Sequence, residues 1–443
     1  MLLVRGRYVL TMDSGMRVFR DGCVVVDDGF VVDVGPFDEL RGRYRGEVLG
    51  GDRKLVMPGL VNCHIHSREH LAVTAFPEGV PEKRWFPDHC ISYHVWLDAE
   101  GERLAFKLAL CDMALNGVTC FADGGLMHLE TNLGAVKEIP LRCLVSTWCW
   151  DLPQSIPKTA DQCMRELENL YTMFHNSFNG LVRASATPIS VPTCSDRLLR
   201  DVGLWALERS LPVFIHVAST DQDVEETVRQ RGVTPAHHLR RLGVLRRGVN
   251  LLHSIYLNDA DVGVISDAGA GVVACPASAA VKGKGLGPHG KFPELLAKGV
   301  RVGVGVDGAP SAHHSDMLRL GALFAGILRD SRTGPGLAKA AEVLRMLTAG
   351  GAELLGLGAE VGSLERGKRA DLAVFDISAP LMYPTQDIYR SVLFTLTGCR
   401  ADTVIVDGRP VVEGGELIGV SLEKVGGEVE RYLERREVGQ SPM

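Results

Sequence analysis

Residues 57–66 read MPGLVNCHIH, an apolar run that ends in two histidines separated by a single residue. In a β-strand, side chains two residues apart point to the same face, so His64 and His66 project together and are placed to share one metal ion. A chance pair, with one histidine packed in the core and the other exposed, is the competing interpretation. The position of the pair at the end of an apolar strand favours the metal.

Seven more apolar runs follow along the chain. With the first run they predict strands at 60–66, 118–123, 141–148, 181–187, 213–216, 249–253, 272–275 and 302–307. Helical patterns separate most of them; Leu104, Leu108, Cys111 and Leu115, for example, share one helix face. Alternating strands and helices predict an α/β protein built as a (β/α)8 barrel, with an open doubly wound sheet as the alternative.

Both ends of the chain have a different sequence pattern from the middle. They contain short β-rich runs and Asp-Gly turns at 21–22, 28–29 and 407–408. We therefore predict one small β domain that combines residues 1–57 and 364–420. The barrel then spans residues 58–363, and residues 421–443 form a charged surface helix and a tail.

Three further ionisable residues close predicted strands: His216, His253 and Asp307. The carboxyl ends of barrel strands converge on one face of the barrel, where the active site of such enzymes lies. Buried ionisable groups are costly unless they are paired or bound to a metal. With His64 and His66, these residues predict a single site at the mouth of the barrel.

The composition excludes several classes of protein. The chain has 443 residues, of which 46% are hydrophobic and 23% are charged, as in compact globular proteins. A net charge of −6 offers no basic surface for nucleic acid, and no uncharged apolar stretch reaches the roughly 18 residues that a membrane span needs. The 11 cysteines lack paired spacing and are expected to be reduced thiols. We expect a cytoplasmic enzyme that binds neither nucleic acid nor a membrane.

Residues 57–66 resemble the PGLVN-x-H-x-H opening of the amidohydrolase superfamily. Further matching motifs follow in the expected order: GVT at 117–119, PTCS at 192–195, CPAS at 275–278, VDG at 306–308 and DTVIVDG at 402–408. The resemblance covers nearly the whole chain and is to the cytosine deaminase-like branch, with its guanine deaminases and triazine hydrolases. It implies a distorted TIM barrel with a small β-sandwich formed by both termini.

The same resemblance implies the site chemistry. It makes His64, His66, His216 and Asp307 the ligands of one divalent metal, zinc or iron, with zinc preferred. The absence of a lysine at 181–187 argues against a second metal. Metal-bound hydroxide would attack a ring carbon of a small nitrogen heterocycle and displace an amino or substituted amino group. Asp307 would take the proton from water, and His253 would orient or polarise the ring. A homodimer is implied by family analogy alone.

The chain departs from its relatives at Ser219, where most of them carry a glutamate three residues after the histidine of the fifth strand. A serine hydroxyl donates and accepts hydrogen bonds but is a very weak acid or base. Either Ser219 only positions the ring, or protons travel through Asp307, His253 and water. Ile189 likewise stands where relatives often carry a histidine.

Two alternatives to a deaminase follow from these departures. One is hydrolysis of another C–N bond or of a C–Cl bond, as in triazine hydrolases. The other is a metal-binding relative that has lost catalysis. Two groups of histidines remain candidates for substrate contact: His313 and His314 in one loop, and His70, His89 or His94 in another. The glycine-rich stretch 282–290 is expected to be a loop near the barrel mouth.

Overall fold

The computed structural model describes residues 1–80, 82–152 and 156–437. Its central feature is a closed barrel of eight parallel strands, each of which is almost entirely buried. In chain order the barrel strands are Leu60–His66, Val118–Asp123, Arg142–Val145, Val182–Ala184, Val213–Val217, Val249–His253, Gly271–Ala274 and Arg301–Val304. Strands buried on both faces consist of continuous apolar runs, which is the pattern that the sequence shows.

The barrel closes where the eighth strand meets the first. After Arg301–Val304 the chain resumes as the short strand Asp307–Gly308, which pairs in parallel with the end of the first strand. Parallel bridges at Ala186–Val213 and Ser190–His216 connect the fourth and fifth strands. The closed order confirms the barrel and excludes the open doubly wound sheet.

Several predicted strands are shorter than expected, because the chain bends near the barrel mouth. Arg142–Val145 is followed by a separate two-residue strand, Trp148–Cys149, instead of one run over 141–148. Thr187–Pro188 likewise stands apart from the fourth strand and pairs with Trp148–Cys149.

Helices surround the barrel and connect its strands. The α-helices of eight or more residues are Ala99–Leu115, Ala160–Phe174, Asp196–Glu208, Asp221–Arg231, Asp259–Ala268, Met317–Ser331, Ile388–Thr395 and Leu422–Glu437. Shorter α-helices are Phe37–Arg43, Glu82–Trp85, Ile91–Trp96, Leu129–Leu133, Ser177–Gly180, Pro235–Arg241, Pro276–Val281, Leu286–His289, Phe292–Ala297, Ala309–Ala312, Ala340–Met346 and Ala349–Leu354. Within the described ranges, every helix is either too short or too polar to span a lipid bilayer.

Both ends of the chain build one eight-stranded mixed sheet beside the barrel, as expected. Its strands are Leu2–Leu10, Val18–Asp27, Phe30–Pro36, Glu47–Pro58, Leu372–Asp376, Thr403–Val406, Arg409–Glu413 and Glu416–Leu417. An aliphatic cluster from both ends fills it, including Val4, Val24, Val56, Leu372 and Ile405. The strand Glu47–Pro58 leads almost directly into the first barrel strand, so the sheet positions the HxH segment. The exact domain limits stay a prediction.

A buried ion cluster ties this terminal sheet to the barrel. Arg142, the first residue of the third barrel strand, is 1% exposed. Its guanidinium donates two hydrogen bonds to the Asp371 carboxylate, at 2.9 and 3.2 Å, and one to Asp407 at 2.6 Å. Because the pairing is bidentate and enclosed, it fixes the orientation of the sheet on the barrel.

The C-terminal helix Leu422–Glu437 packs against the helix Ala99–Leu115 of the barrel. Tyr432 is 1% exposed, and its hydroxyl donates to Asp98 Oδ1 at 3.1 Å. The predicted surface helix is therefore anchored through one face. Residues 438–443 of the predicted tail lie outside the described residues.

Candidate functional site

His64 and His66 lie side by side at the end of the first barrel strand. Their ring centroids are 4.6 Å apart, and both side chains are buried. Gly124, just after the second strand, leaves room for them: a Cβ there would lie 2.6 Å from Nδ1 of His66 and 3.0 Å from Cε1 of His64. A side chain at position 124 would therefore push against both rings.

Asp307 lies opposite these rings, and its carboxylate is close to three histidines. Its Oδ1 is 3.6 Å from Nε2 of His64 and 3.5 Å from Nε2 of His66, and its Oδ2 is 3.8 Å from Nε2 of His253. Both His253 and Asp307 have left-handed backbones, with φ of +66° and +72°. Such strain costs about 1–3 kcal/mol per residue and is concentrated at functional sites.

His216 is oriented by the backbone. Its Nδ1 lies 2.7 Å from the carbonyl oxygen of Ile189. A carbonyl oxygen can only accept, so Nδ1 carries the hydrogen and the lone pair is on Nε2, which is free to bind a metal. Metal-binding histidines are typically held by such a contact.

The arrangement suits a divalent metal. One potential ligand atom from each of His64, His216, His253 and Asp307 lies within 4.8 Å of all the others, and His66 adjoins Asp307. Among the described residues, Nε2 of His64 is buried and has no hydrogen-bond partner. Imidazole nitrogens with one carboxylate oxygen form a donor set that zinc and iron accept.

The ionisation states of these histidines and of Asp307 also suit a divalent metal. Burial, reinforced by neighbouring imidazoles, lowers the pKa of His216 to about 3 and that of His66 well below its usual value. Burial and Lys284 do the same for the pKa of His253. Burial alone would raise the pKa of Asp307, but His253, His64 and Lys284 outweigh it and hold that pKa well below the usual range. Neutral imidazoles and an ionised carboxylate are the forms that bind metals.

A cavity of about 260 Å³ opens above this cluster at the carboxyl ends of the strands. Trp85, Phe86 and Trp148 form aromatic walls. The remaining lining residues are His66, Glu69, Cys90, Ile189, Ser190, Pro192, Thr193, His216, Ser219, Thr220, Gln222, Asp223, His253, Lys282, Lys284, Asp307, Gly308 and Ser311. A smaller apolar pocket of about 20 Å³, lined in part by Trp150 and Ile156, adjoins it.

Ser219 lines this cavity and is 6% exposed. Its backbone N–H donates to Oδ2 of Asp223 at 3.1 Å, and its hydroxyl oxygen accepts a hydrogen bond from Nζ of Lys284, also at 3.1 Å. Sequence reasoning missed Lys284, although it lies within the glycine-rich stretch 282–290. A lysine between two glycines was the only signal that could have identified it.

Glu69 is a second cavity residue that sequence reasoning missed. It lies in the short 3-10 helix Ser67–Ala72, directly after the HxH strand, and is 7% exposed. Burial, with a contribution from the Asp307 carboxylate, raises the pKa of Glu69 to about 8. Its Oε1 lies 3.2 Å from Nε2 of His94. An acidic residue three positions after His66 was the available signal.

Four of the five remaining candidate histidines divide between two places, and the fifth, His89, lies beside Phe76 with ring centroids 5.8 Å apart. His94 lies in the apolar pocket, with its ring edge-on to Trp148 at 4.4 Å. His70, His313 and His314 line a separate cavity of about 190 Å³ and, within the described residues, are not part of the lining of the main one. This geometry does not bring His313 and His314 to the predicted site.

Comparison with known proteins agrees with the geometry. A model of the amidohydrolase family matches residues 55–411. The chain belongs to the amidohydrolase family. It is 30% identical over 432 residues to a 5-methylthioadenosine/S-adenosylhomocysteine deaminase from Pelotomaculum thermopropionicum, which covers 97% of each chain. The predicted family is thus confirmed.

Two solved structures share the fold along nearly their whole length. An adenosine deaminase from Xanthomonas campestris with bound zinc superposes with a TM-score of 0.91 at 25% identity, covering 99% of this chain and 98% of the other. An atrazine chlorohydrolase from Arthrobacter aurescens with zinc gives 0.89 at 24% identity, covering 97% and 99%. This amidohydrolase is a metal-dependent enzyme that hydrolyses C–N bonds.

Proposed function

We propose that this amidohydrolase removes an amino group from the ring of a small nitrogen heterocycle, with amino-purine nucleosides as the first candidates. The main support is the meeting of three histidines and Asp307 beneath an aromatic-walled cavity at the carboxyl ends of the barrel strands. The deaminase relative at 30% identity supports the choice of reaction. A cavity of about 260 Å³ suits a small ring, because pockets for drug-sized ligands measure roughly 300–1,000 Å³.

The proposed metal ligands are His64, His66, His216 and Asp307, and the proposed metal is zinc. The close approach of both HxH imidazoles to Oδ1 of Asp307 supports this set. His253 lies equally near the cluster, and we assign it to the substrate, because it approaches the other carboxylate oxygen of Asp307. A divalent metal supplies the chemistry that lowers the pKa of water from about 15.7 toward about 7.

Separate residues of the chain take the separate roles in the reaction. Asp307 accepts a proton from the attacking water, since its carboxylate is ionised and lines the cavity, with Oδ2 3.8 Å from Nε2 of His253. His253 donates a hydrogen bond to charge that develops on the ring, and Trp85, Phe86 and Trp148 exclude water from its faces. Ser219 lies on the cavity wall and is assigned to the leaving-group side.

The cytoplasm is the proposed compartment. All eleven cysteines lie within the described residues and are free thiols, and ten of them are buried. Free buried thiols are typical of proteins kept in a reducing environment. The homodimer stays a prediction, for which sedimentation of the purified protein is the direct measurement.

The test is ammonia release from a panel of amino-substituted purines, pterins, pyrimidines and triazines by the zinc-loaded enzyme. Adenosine and 5′-methylthioadenosine come first. We expect turnover of at least one ring, and its loss in Asp307→Asn. Chloride release from chlorotriazines without ammonia release would favour the C–Cl alternative. One metal per chain without any turnover would refute the proposal for these substrates and favour a binding protein.

A further inference from the structure

Ser219 occupies an unusual environment for a serine. It lies in the turn between the fifth barrel strand and the helix Asp221–Arg231, three residues after His216. The preceding residue, Ala218, is left-handed at φ +50°, which bends the chain at the cavity wall. Ser219 is thus aimed at the cavity by the backbone, yet its hydroxyl is by itself too weak an acid to protonate an amine.

Lys284 supplies what this hydroxyl lacks. The lysine is 5% exposed and donates from Nζ to Oγ of Ser219 over 3.1 Å. It reaches the cavity from the loop after the helix Pro276–Val281, which follows the seventh barrel strand. The two residues are 65 positions apart in sequence, so the contact is specific to the fold.

The loop backbone is built to present this lysine. Gly283 and Gly285 flank it with φ of +61° and +77°, a region that glycine enters readily and other residues rarely do. The N–H of Lys284 donates to the carbonyl oxygen of Ala279 at 2.9 Å, which closes the turn. The glycine-rich stretch 282–290 therefore has a structural explanation.

The ammonium group also acts on the rest of the site. Lys284 contributes to the lowered pKa values of His253, His216 and Asp307. A nearby cation disfavours the protonated imidazoles and favours the ionised carboxylate. A cation at this place lies close enough to the cluster to affect its protons, without being a metal ligand.

We propose that Lys284 is a positioning residue for Ser219 and the source of its proton: together they replace the glutamate that relatives carry at position 219. This inference rests on the proposed deaminase function. Because Lys284 donates to the Ser219 oxygen, the hydroxyl hydrogen of Ser219 is directed away from Lys284 and toward the departing amine.

The step balances as follows. The ring C–N bond breaks and its electron pair goes to nitrogen. That nitrogen takes the Ser219 hydroxyl proton, and Ser219 Oγ takes a proton from Lys284 Nζ. Earlier, as the oxygen attacks, its first proton passes through Asp307 to the ring nitrogen beside the attacked carbon. The attacking oxygen then loses its remaining proton to Asp307 as the ring carbonyl forms, and this proton returns through water to Lys284. The products are ammonia and the oxo ring, with every protein group restored.

A pair of substrates with the same ring but different leaving groups tests the inference. Chloride leaves without a proton, whereas an amine needs one. The wild-type enzyme is compared with Lys284→Met on the amino and chloro forms of a ring that it accepts, such as adenosine and 6-chloropurine riboside. Lys298→Met, an exposed lysine at a helix end, is the matched control.

We expect Lys284→Met to lower kcat on the amino ring on the order of 100-fold and to change kcat on the chloro ring less than about threefold. Ser219→Ala should show the same selectivity, and the double variant should be no slower than the slower single variant. Zinc content and the melting temperature of the metal-free protein should match the wild type, which separates this role from a structural one.

Equal losses on both leaving groups, or additive losses in the double variant, would overturn the inference while leaving the deaminase proposal intact. If Lys284→Met fails to fold, Ser219→Ala carries the same leaving-group comparison. A wild-type enzyme that releases neither ammonia nor chloride from any ring would overturn both the proposed function and this inference.

Discussion

Gly305 lies at the seam where the eighth barrel strand meets the first. Its N–H donates to Ala274 O, and the next N–H donates to His64 O, both at 2.8 Å. A Cβ at position 305 would lie 2.8 Å from the His64 Cβ and 2.9 Å from its backbone N and O. Ordinary contact begins near 3.4 Å, so Gly305→Ala must open the seam by the difference, 0.6 Å.

This displacement is costly because the contacts are the backbone N and O of His64 and its Cβ, none of which can rotate away. Overpacking of this kind destabilises a protein by about 1–3 kcal/mol. It also moves His64 relative to Asp307 by more than the roughly 0.2 Å that metal–ligand distances tolerate. We therefore expect zinc affinity to fall by about 10–100-fold, which removes about 1–3 kcal/mol of the stabilisation that bound zinc provides.

Zinc affinity is measured by competition with a chromophoric chelator, and thermal unfolding is measured with and without zinc. The gain in melting temperature on adding zinc isolates the metal effect from the general loss of stability. Gly134→Ala is the matched control, since position 134 is exposed and a Cβ there meets nothing within 4 Å. A zinc affinity for Gly305→Ala within twofold of the wild type would refute the reasoning.

Three other predictions concern buried charges. Asp307→Asn should lower turnover at least 100-fold while the far-UV circular dichroism stays unchanged; near-normal kcat would rule out its role as a base. In the metal-free protein the pKa of Glu69 is about 8 against a usual 4.5, so its stabilising contribution is lost as pH rises between these values. The free energy of unfolding of Glu69→Gln, measured by urea titration, should therefore rise relative to that of the wild type by roughly 1 kcal/mol per pH unit across that range. A difference between the two proteins that does not change with pH would contradict this. Asp371→Ala should destabilise by about 3–5 kcal/mol because it leaves Arg142 buried and poorly paired, whereas Asp38→Ala, at an exposed position, should stay within about 0.5 kcal/mol.

The sequence predicted the barrel and its ionisable strand ends because both follow from short-range regularities. Strand alternation places His64 and His66 on one face, and barrel topology brings His216, His253 and Asp307 to the same end. These inferences need only the order of apolar runs and the residue that closes each run.

The contacts that sequence reasoning missed come from loops. Lys284 reaches Ser219 only because Gly283 and Gly285 take left-handed backbones, and local patterns do not tell where such a turn points. Glu69 is drawn into the cavity by a short 3-10 helix that has no periodic signature. The eighth strand was predicted to continue to Asp307, but it breaks at Gly305 and Val306, whose N–H groups bond to two different neighbouring strands.

The buried ion cluster of Arg142 has a consequence for the way this chain is made. Arg142 belongs to the third barrel strand, but its partners Asp371 and Asp407 are 229 and 265 positions farther along. A ribosome adds roughly 5–20 residues per second, so these partners emerge many seconds after the strand that needs them. Until then the guanidinium must stay in water, and the third strand cannot be sealed into the barrel. The last part of the chain to be synthesised thus completes the folding of its middle.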